Sequence, residues 1–152
     1  MHPPFQQVLD DHAGDVLRFL TAICGRLEAE DCFQETMVAA LRAYPDLTDS
    51  SNLRAWLLTI AHRKAIDAAR RRARAPVPVA AVPDRAAATD DAVGEVWTLV
   101  GRLPPKQKGA VFLRFAGGLP YREIGAVLDC SEPAARRSVH EGLKALREEW
   151  KP

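Results

Sequence analysis

The sequence predicts an all-α protein made of two small helical domains joined by a flexible proline- and alanine-rich linker. Three observations predict it. Apolar residues recur at i, i+3 and i+4 in one segment after another, the spacing of a helix face. The stretch 75–91, APVPVAAVPDRAAATDD, holds three prolines and almost no large apolar side chains, so it cannot build a core. The stretch 121–150 reads as a short helix, a tight turn and a second helix with a basic outer face. The domains are therefore expected at 1–74 and 92–152, with 75–91 between them.

A first helix is expected over Phe5–Cys24. Val8, Leu9, Val16, Leu17, Phe19, Leu20 and Ile23 supply its apolar face, Gly14 weakens its middle, and Gly25 is placed to stop it. The next helix lies in LEAEDCFQETMVAALRAYPDL. Cys32, Phe33, Thr36, Met37, Ala40, Leu41 and Tyr44 form its expected core stripe, and Pro45 ends it. The acids Glu28, Glu30, Asp31 and Glu35 crowd its front, where the helix dipole favours them. They serve either as dipole compensation or as a docking surface for a basic partner.

The polar loop Asp46–Asn52 leads into the most basic helix, LRAWLLTIAHRKAIDAARRRAR. Leu53, Trp56, Leu57, Ile60, Ala61, Lys64, Ala65 and Ala68 track its expected buried stripe. Arg63, Arg70, Arg71, Arg72 and Arg74 make a cationic rod suited to nucleic-acid phosphates. Trp56 is read either as core or as a base-stacking surface.

In the second domain, Val93, Val96, Trp97, Val100 and Leu103 share one helix face. Pro104 and Pro105 break that helix, and Pro105 opens the next, PKQKGAVFLRFAG, which packs through Ala110, Val111, Leu113 and Phe115. Ile124, Val127 and Leu128 mark a third helix. Ser131 caps a fourth, with Pro133 in its first turn and an apolar stripe of Val139, Leu143, Leu146 and Trp150. Arg136, Arg137, His140 and Lys144 fall on the other side of that last helix. A helix-turn-helix places its second helix in the major groove; a plain helical hairpin with a solvated basic face has the same pattern.

Composition narrows the function classes. The 152 residues are 47% hydrophobic and 27% charged, the profile of a soluble globular protein. No apolar run approaches the roughly 18 residues of a membrane span. MHPPFQQVLDDHAGD lacks the layout of a secretory signal, so a cytoplasmic location is expected. Cys24, Cys32 and Cys130 form no C-x-x-C pair and read as buried thiols, not as a disulfide frame or metal site. The four histidines are scattered and no nucleophile elbow, phosphate loop or H-E-x-x-H occurs, so no enzyme, cofactor, metal or small-molecule substrate is expected. The formal net charge of +1 hides a division. Residues 1–50 carry nine acids against three arginines, whereas residues 51–75 carry seven bases against Asp67. Two partners of opposite charge fit such a chain.

The combination of E-D-x-x-Q-E-T, W-L-x-T-I-A, L-P-P-x-Q and a helix-turn-helix opened by G-L-x-Y-x-E-I resembles the extracytoplasmic-function (ECF) sigma factors of RNA polymerase. The resemblance covers nearly the whole chain, region 2 in the first domain and region 4 in the second. It implies a non-catalytic subunit that brings core RNA polymerase to promoter DNA. Asp31, Gln34 and Glu35 would face the polymerase clamp helices. The loop Asp46–Asn52 and the start of the following helix would capture an unpaired base of the −10 element, with Asn52, Arg54, Trp56, His62, Arg63, Lys64 and Arg70 along the melted strand. Arg136, Arg137, Ser138 and His140 would read the −35 duplex, with Lys144 on phosphate. Two departures stand out: Asp129 where the family's turn usually has glycine, and Glu132-Pro133-Ala134 at the start of the recognition helix. No extra C-terminal sensor domain is seen, so the resemblance implies control by an anti-sigma partner. The alternative is a helix-turn-helix regulator that never joins polymerase.

Overall fold

The computed structural model describes residues 2–74 and 92–150, with side chains in the second span from residue 95. The proline-rich linker and the side chain of Val93 lie outside the described residues. Every regular element among them is helical: α1 (Phe5–Cys24), α2 (Arg26–Ala43), a 3₁₀ turn (Tyr44–Asp46), α3 (Leu53–Ala73), α4 (Ala92–Val100), α5 (Pro105–Phe115), α6 (Tyr121–Leu128) and α7 (Glu132–Glu149). The chain divides into two compact units, Met1–Val82 and Pro83–Pro152.

In the first unit α1, α2 and α3 pack against one another. α1 buries the large side chains Val16, Phe19 and Leu20; the buried residues of α2 are mostly small, Ala29, Cys32 and Ala40, and α3 buries Ala61, Ala65 and Ala68 beside Leu57 and Leu58. Buried Thr36 satisfies its hydroxyl by donating to Cys32 O at 2.7 Å, one turn back. α1 runs unbroken through exposed Gly14, whose cost of about 1 kcal/mol against alanine is smaller than the gain from burying its apolar face. Gly25, at φ 83°, separates α1 from α2. Pro45 turns the expected last turn of α2 into the 3₁₀ turn.

Three packing expectations need correction. Leu41, placed in the core stripe of α2, is 56% exposed. Phe115, placed in the packing face of α5, is also 56% exposed. Leu58 and His62, left out of the buried stripe of α3, are inside it. The reason for the last is that α3 is covered by both α1 and α2, which widens its buried arc beyond one stripe.

In the second unit Val100, Leu103 and Val111 form a cluster with Val96, Trp97, Ala145 and Leu146 around it. Trp97 meets Phe112 edge-on, ring centroids 5.6 Å apart. Leu113, Leu119, Ile124, Val127 and Val139 are buried as well, as are Ala110, Leu128 and Ala135. The α6–α7 turn is tight: a Cβ on Gly125 would lie 2.6 Å from Cys130 O, so only glycine fits there. Asp129 takes the left-handed conformation at φ 58° and ψ 51°, which a short polar side chain tolerates better than most. Ser131 caps α7 as expected, its Oγ accepting from Ala134 N at 3.2 Å.

Candidate nucleic-acid interface

α7 buries Ala135, Val139 and Gly142, and that face sets what is left outside. The close approach at Gly142, where a Cβ would meet Val111 Cγ2 at 2.7 Å, seats the helix against α5. Arg137, His140 and Lys144 then line one exposed face at i, i+3 and i+7 and form no ion pair among the described residues. Arg136 is exposed but engaged: its guanidinium lies 3.5 Å from Glu132 and 4.9 Å from the centre of the Tyr121 ring. The same ring holds Arg114 at 4.5 Å, and Arg114 also donates to Leu119 O at 3.2 Å. Ser138 is half-buried. Tyr121 belongs to the G-L-x-Y-x-E-I motif, but its contact with Arg114 and Arg136 has no sequence signal, because nothing in residue spacing brings the end of α5 to the start of α6.

α3 sorts its cations into two sets. Arg71 and Arg72 turn toward α2, pairing with Glu35 at 3.3 Å and Glu28 at 2.9 Å. The Glu35 hydrogen bond and charge raise the Arg71 pKa above its ordinary value. Arg63, Arg70 and Arg74 are exposed and form no ion pair among the described residues. Trp56, Arg63 and Arg70 recur every seven residues, so they share a face. Trp56 is half-buried, 6.0 Å from the Tyr44 ring, and so is both support and surface. Arg54 is half-buried and 3.8 Å from Asp15; Lys64 is half-buried. His62 does not join them: it is 9% exposed, with its ring 6.4 Å from Phe19 in the core.

The loop before α3 is held at several points. Leu47 N donates to Tyr44 O at 3.1 Å, Ser51 N to Asp49 Oδ1 at 2.9 Å, and Ala55 N to Asn52 Oδ1 at 3.0 Å. Asn52 is thus the N-cap of α3. The Ser51 hydrogen bonds, with the nearby His2, hold the Asp49 carboxyl below its usual range.

On α2, Asp31 and Gln34 are exposed and Glu35 is half-buried. Leu27, Val38 and Leu41 are also exposed, at 80%, 47% and 56%. Residues 27, 31, 34, 38 and 41 follow helical spacing, so these apolar and polar groups form one mixed stripe. Its polar members are legible in the sequence, but Leu41 reads as core there, since periodicity cannot tell an exposed apolar stripe from a buried one.

The Sigma-70 region 2 family model matches residues 8–75, and the Sigma-70 region 4 model matches residues 94–146. ECF RNA polymerase sigma factor SigC of Mycobacterium tuberculosis is 32% identical over 145 residues, covering 91% of this chain and 78% of SigC. The chain belongs to the ECF RNA polymerase sigma factors. As a sigma factor it directs promoter-specific transcription initiation, and a helix-turn-helix regulator acting without polymerase is not favoured. ECF sigma factor SigX of Bacillus subtilis is 26% identical over 162 residues, covering 97% of this chain and 84% of SigX. The fold is also that of the sigma factor RpoE, solved in complex with the anti-sigma factor NepR from Bartonella quintana. There the TM-score is 0.79 at 24% identity, covering 95% of this chain and 94% of the other. In this sigma factor the exposed cations of α3 fall in region 2 and those of α7 in region 4. No helix among the described residues is long and apolar enough to cross a membrane.

Proposed function

We propose that this sigma factor divides promoter recognition between its two units and docks on polymerase through α2. The observation that carries the reading is the pair of exposed cationic faces that have no ion-pair partner among the described residues, Arg63, Arg70 and Arg74 on α3 and Arg137, His140 and Lys144 on α7. Phosphate contacts supply affinity along both faces. On α7, Arg136 and Arg137 engage the −35 duplex with Ser138 and His140, and Lys144 neutralises phosphate. A well-formed arginine–guanine pair discriminates by about 1–3 kcal/mol. On the first unit, the loop ending at Asn52 receives an unpaired −10 base, Trp56 supports it, and Arg54, Arg63, Lys64 and Arg70 follow the strand. His62, buried in the core, has no part in this.

The mixed stripe of α2 docks on core RNA polymerase, with Asp31, Gln34 and Glu35 supplying charge and hydrogen bonds and Leu27, Val38 and Leu41 supplying apolar area. The protein has no chemical step of its own and works in the cytoplasm. An anti-sigma protein covers its surfaces when it is idle. RpoE is solved with NepR and CnrH with the cytosolic domain of CnrY, which supports this reading.

Run-off transcription with core polymerase on a promoter library tests the reading. Transcripts dependent on added protein and on both promoter elements are expected; none above the core-only background would refute it.

A further inference from the structure

The N-terminal residues 2–5 reach across to the loop that precedes α3. Pro3 and Pro4 hold this arm extended, with Pro4 N-capping α1 at φ −58° and ψ 144°. His2 Nε2–H donates to Leu47 O, and Tyr44 Oη–H donates to Pro3 O. Both carbonyls are available for these bonds. Pro3 precedes a proline inside an extended arm, and Leu47 lies beyond the 3₁₀ turn. The contacts are aromatic as well as polar. Tyr44 lies 5.6 Å from the His2 ring, 5.3 Å from Phe5 and 6.0 Å from Trp56, centroid to centroid. His2 is also close enough for its charge to help lower the pKa of Asp49. The arm, Tyr44 and Trp56 therefore form one connected set of contacts, tied to the segment 47–52 at Leu47.

The segment has internal ties at Asp49–Ser51 and at the Asn52 cap, but its entry is held only from outside, by Tyr44 and His2 among the described residues. A loop that must receive an extruded base gains affinity when its ordering cost is met before the base arrives. We propose that His2 and Tyr44 are positioning residues for −10 strand capture: the arm fixes the entry of the 47–52 loop through the Leu47 carbonyl. This rests on the assignment of that loop to the −10 strand. Neither residue touches the base; each acts through Leu47 or through the arm.

The experiment is fluorescence titration of reconstituted holoenzyme with a labelled single-stranded −10 oligonucleotide. His2→Ala, His2→Gln and Tyr44→Phe are compared with wild type. Tyr44→Phe keeps the ring packing and loses only the hydroxyl; His2→Gln keeps an N–H donor. Each lost hydrogen bond is expected to weaken capture about fivefold. His2→Gln is expected to retain most of the wild-type affinity. Melting temperature and −35 duplex affinity stay at wild-type values in all three. Unchanged capture in either His2→Ala or Tyr44→Phe overturns the proposal, as does failure of His2→Gln to rescue. A parallel fall in melting temperature and −35 affinity also overturns it, since that marks a general structural role. If wild-type holoenzyme itself captures no −10 strand, the underlying loop assignment fails instead, and the two failures are distinct.

Discussion

The guanidinium of Arg71 lies 3.3 Å from the carboxylate of Glu35, tying the end of the basic helix α3 to the acidic helix α2. Arg72 and Glu28 repeat the tie at 2.9 Å. Both pairs are solvent-exposed, so salt screens them and their effect on stability is small. Their consequence is one of placement: Glu35 takes part in an internal pair while it stands on the proposed polymerase-docking surface. A charge-reversal experiment separates the two roles. Glu35→Arg is expected to weaken core polymerase binding at least tenfold and leave −35 duplex binding unchanged. The exchange Glu35→Arg with Arg71→Glu restores the internal pair. Core binding measured by fluorescence anisotropy should stay defective in the exchange, because docking needs the acid at position 35.

The exposed apolar members of the α2 stripe should behave unlike core residues. Leu41→Ser is expected to change unfolding free energy by no more than about 0.5 kcal/mol, the range of ordinary surface substitutions. Core polymerase affinity should nevertheless fall several-fold. A loss of about 2–5 kcal/mol on chemical denaturation, as for a truncated core leucine, would return Leu41 to the interior.

The turn between α6 and α7 carries a pair of opposed predictions. Asp129→Gly relieves a left-handed residue and should stabilise the second unit by about 0.5–1 kcal/mol, the steric relief less the added chain entropy of glycine. Gly125→Ala drives a Cβ to 2.6 Å from Cys130 O, a backbone atom that cannot swing away. It should destabilise by about 1–3 kcal/mol. Thermal denaturation followed by circular dichroism reads both.

Much of this was legible beforehand because it is written locally. Ser131 with Pro133, Pro45 and the prolines of 104–105 punctuate the helices, and their bounds follow from capping chemistry and the lost N–H of proline. What escaped is set by tertiary packing. His62 reads as a cation on a basic helix and is interior because two helices cover α3. Leu41 and Phe115 read as core because helical periodicity records apolar spacing and not what lies opposite. The meeting of Tyr121 with Arg114 and Arg136, and of His2 with Leu47 across 45 positions, has no periodic signal at all.

The thiols give a pH prediction. Burial, reinforced by the neighbouring Cys32 thiol, pushes the Cys24 thiol from 9.0 up to about 12. Burial also raises the pKa of Cys32. The folded state thus holds the Cys24 proton more tightly than the unfolded chain does. This contribution to stability is fully present below about pH 9 and is lost as pH rises through about 12. Urea denaturation across that window should show stability falling, and Cys24→Ala should flatten the fall. Alkylation of native protein near pH 8 should spare Cys24, since the thiolate is the reactive form.

The central claim is that polymerase docking and −35 reading reside on separate surfaces of one sigma factor. Its most direct test is a paired binding measurement on Arg136→Ala with Arg137→Ala, against a −35 duplex and against core RNA polymerase. Loss of two arginine contacts should weaken duplex binding by roughly 10- to 100-fold or more. Core affinity should remain within about twofold of wild type, since the substitutions lie outside the docking stripe. Retained duplex binding, or loss of core binding in the same variant, would contradict the account.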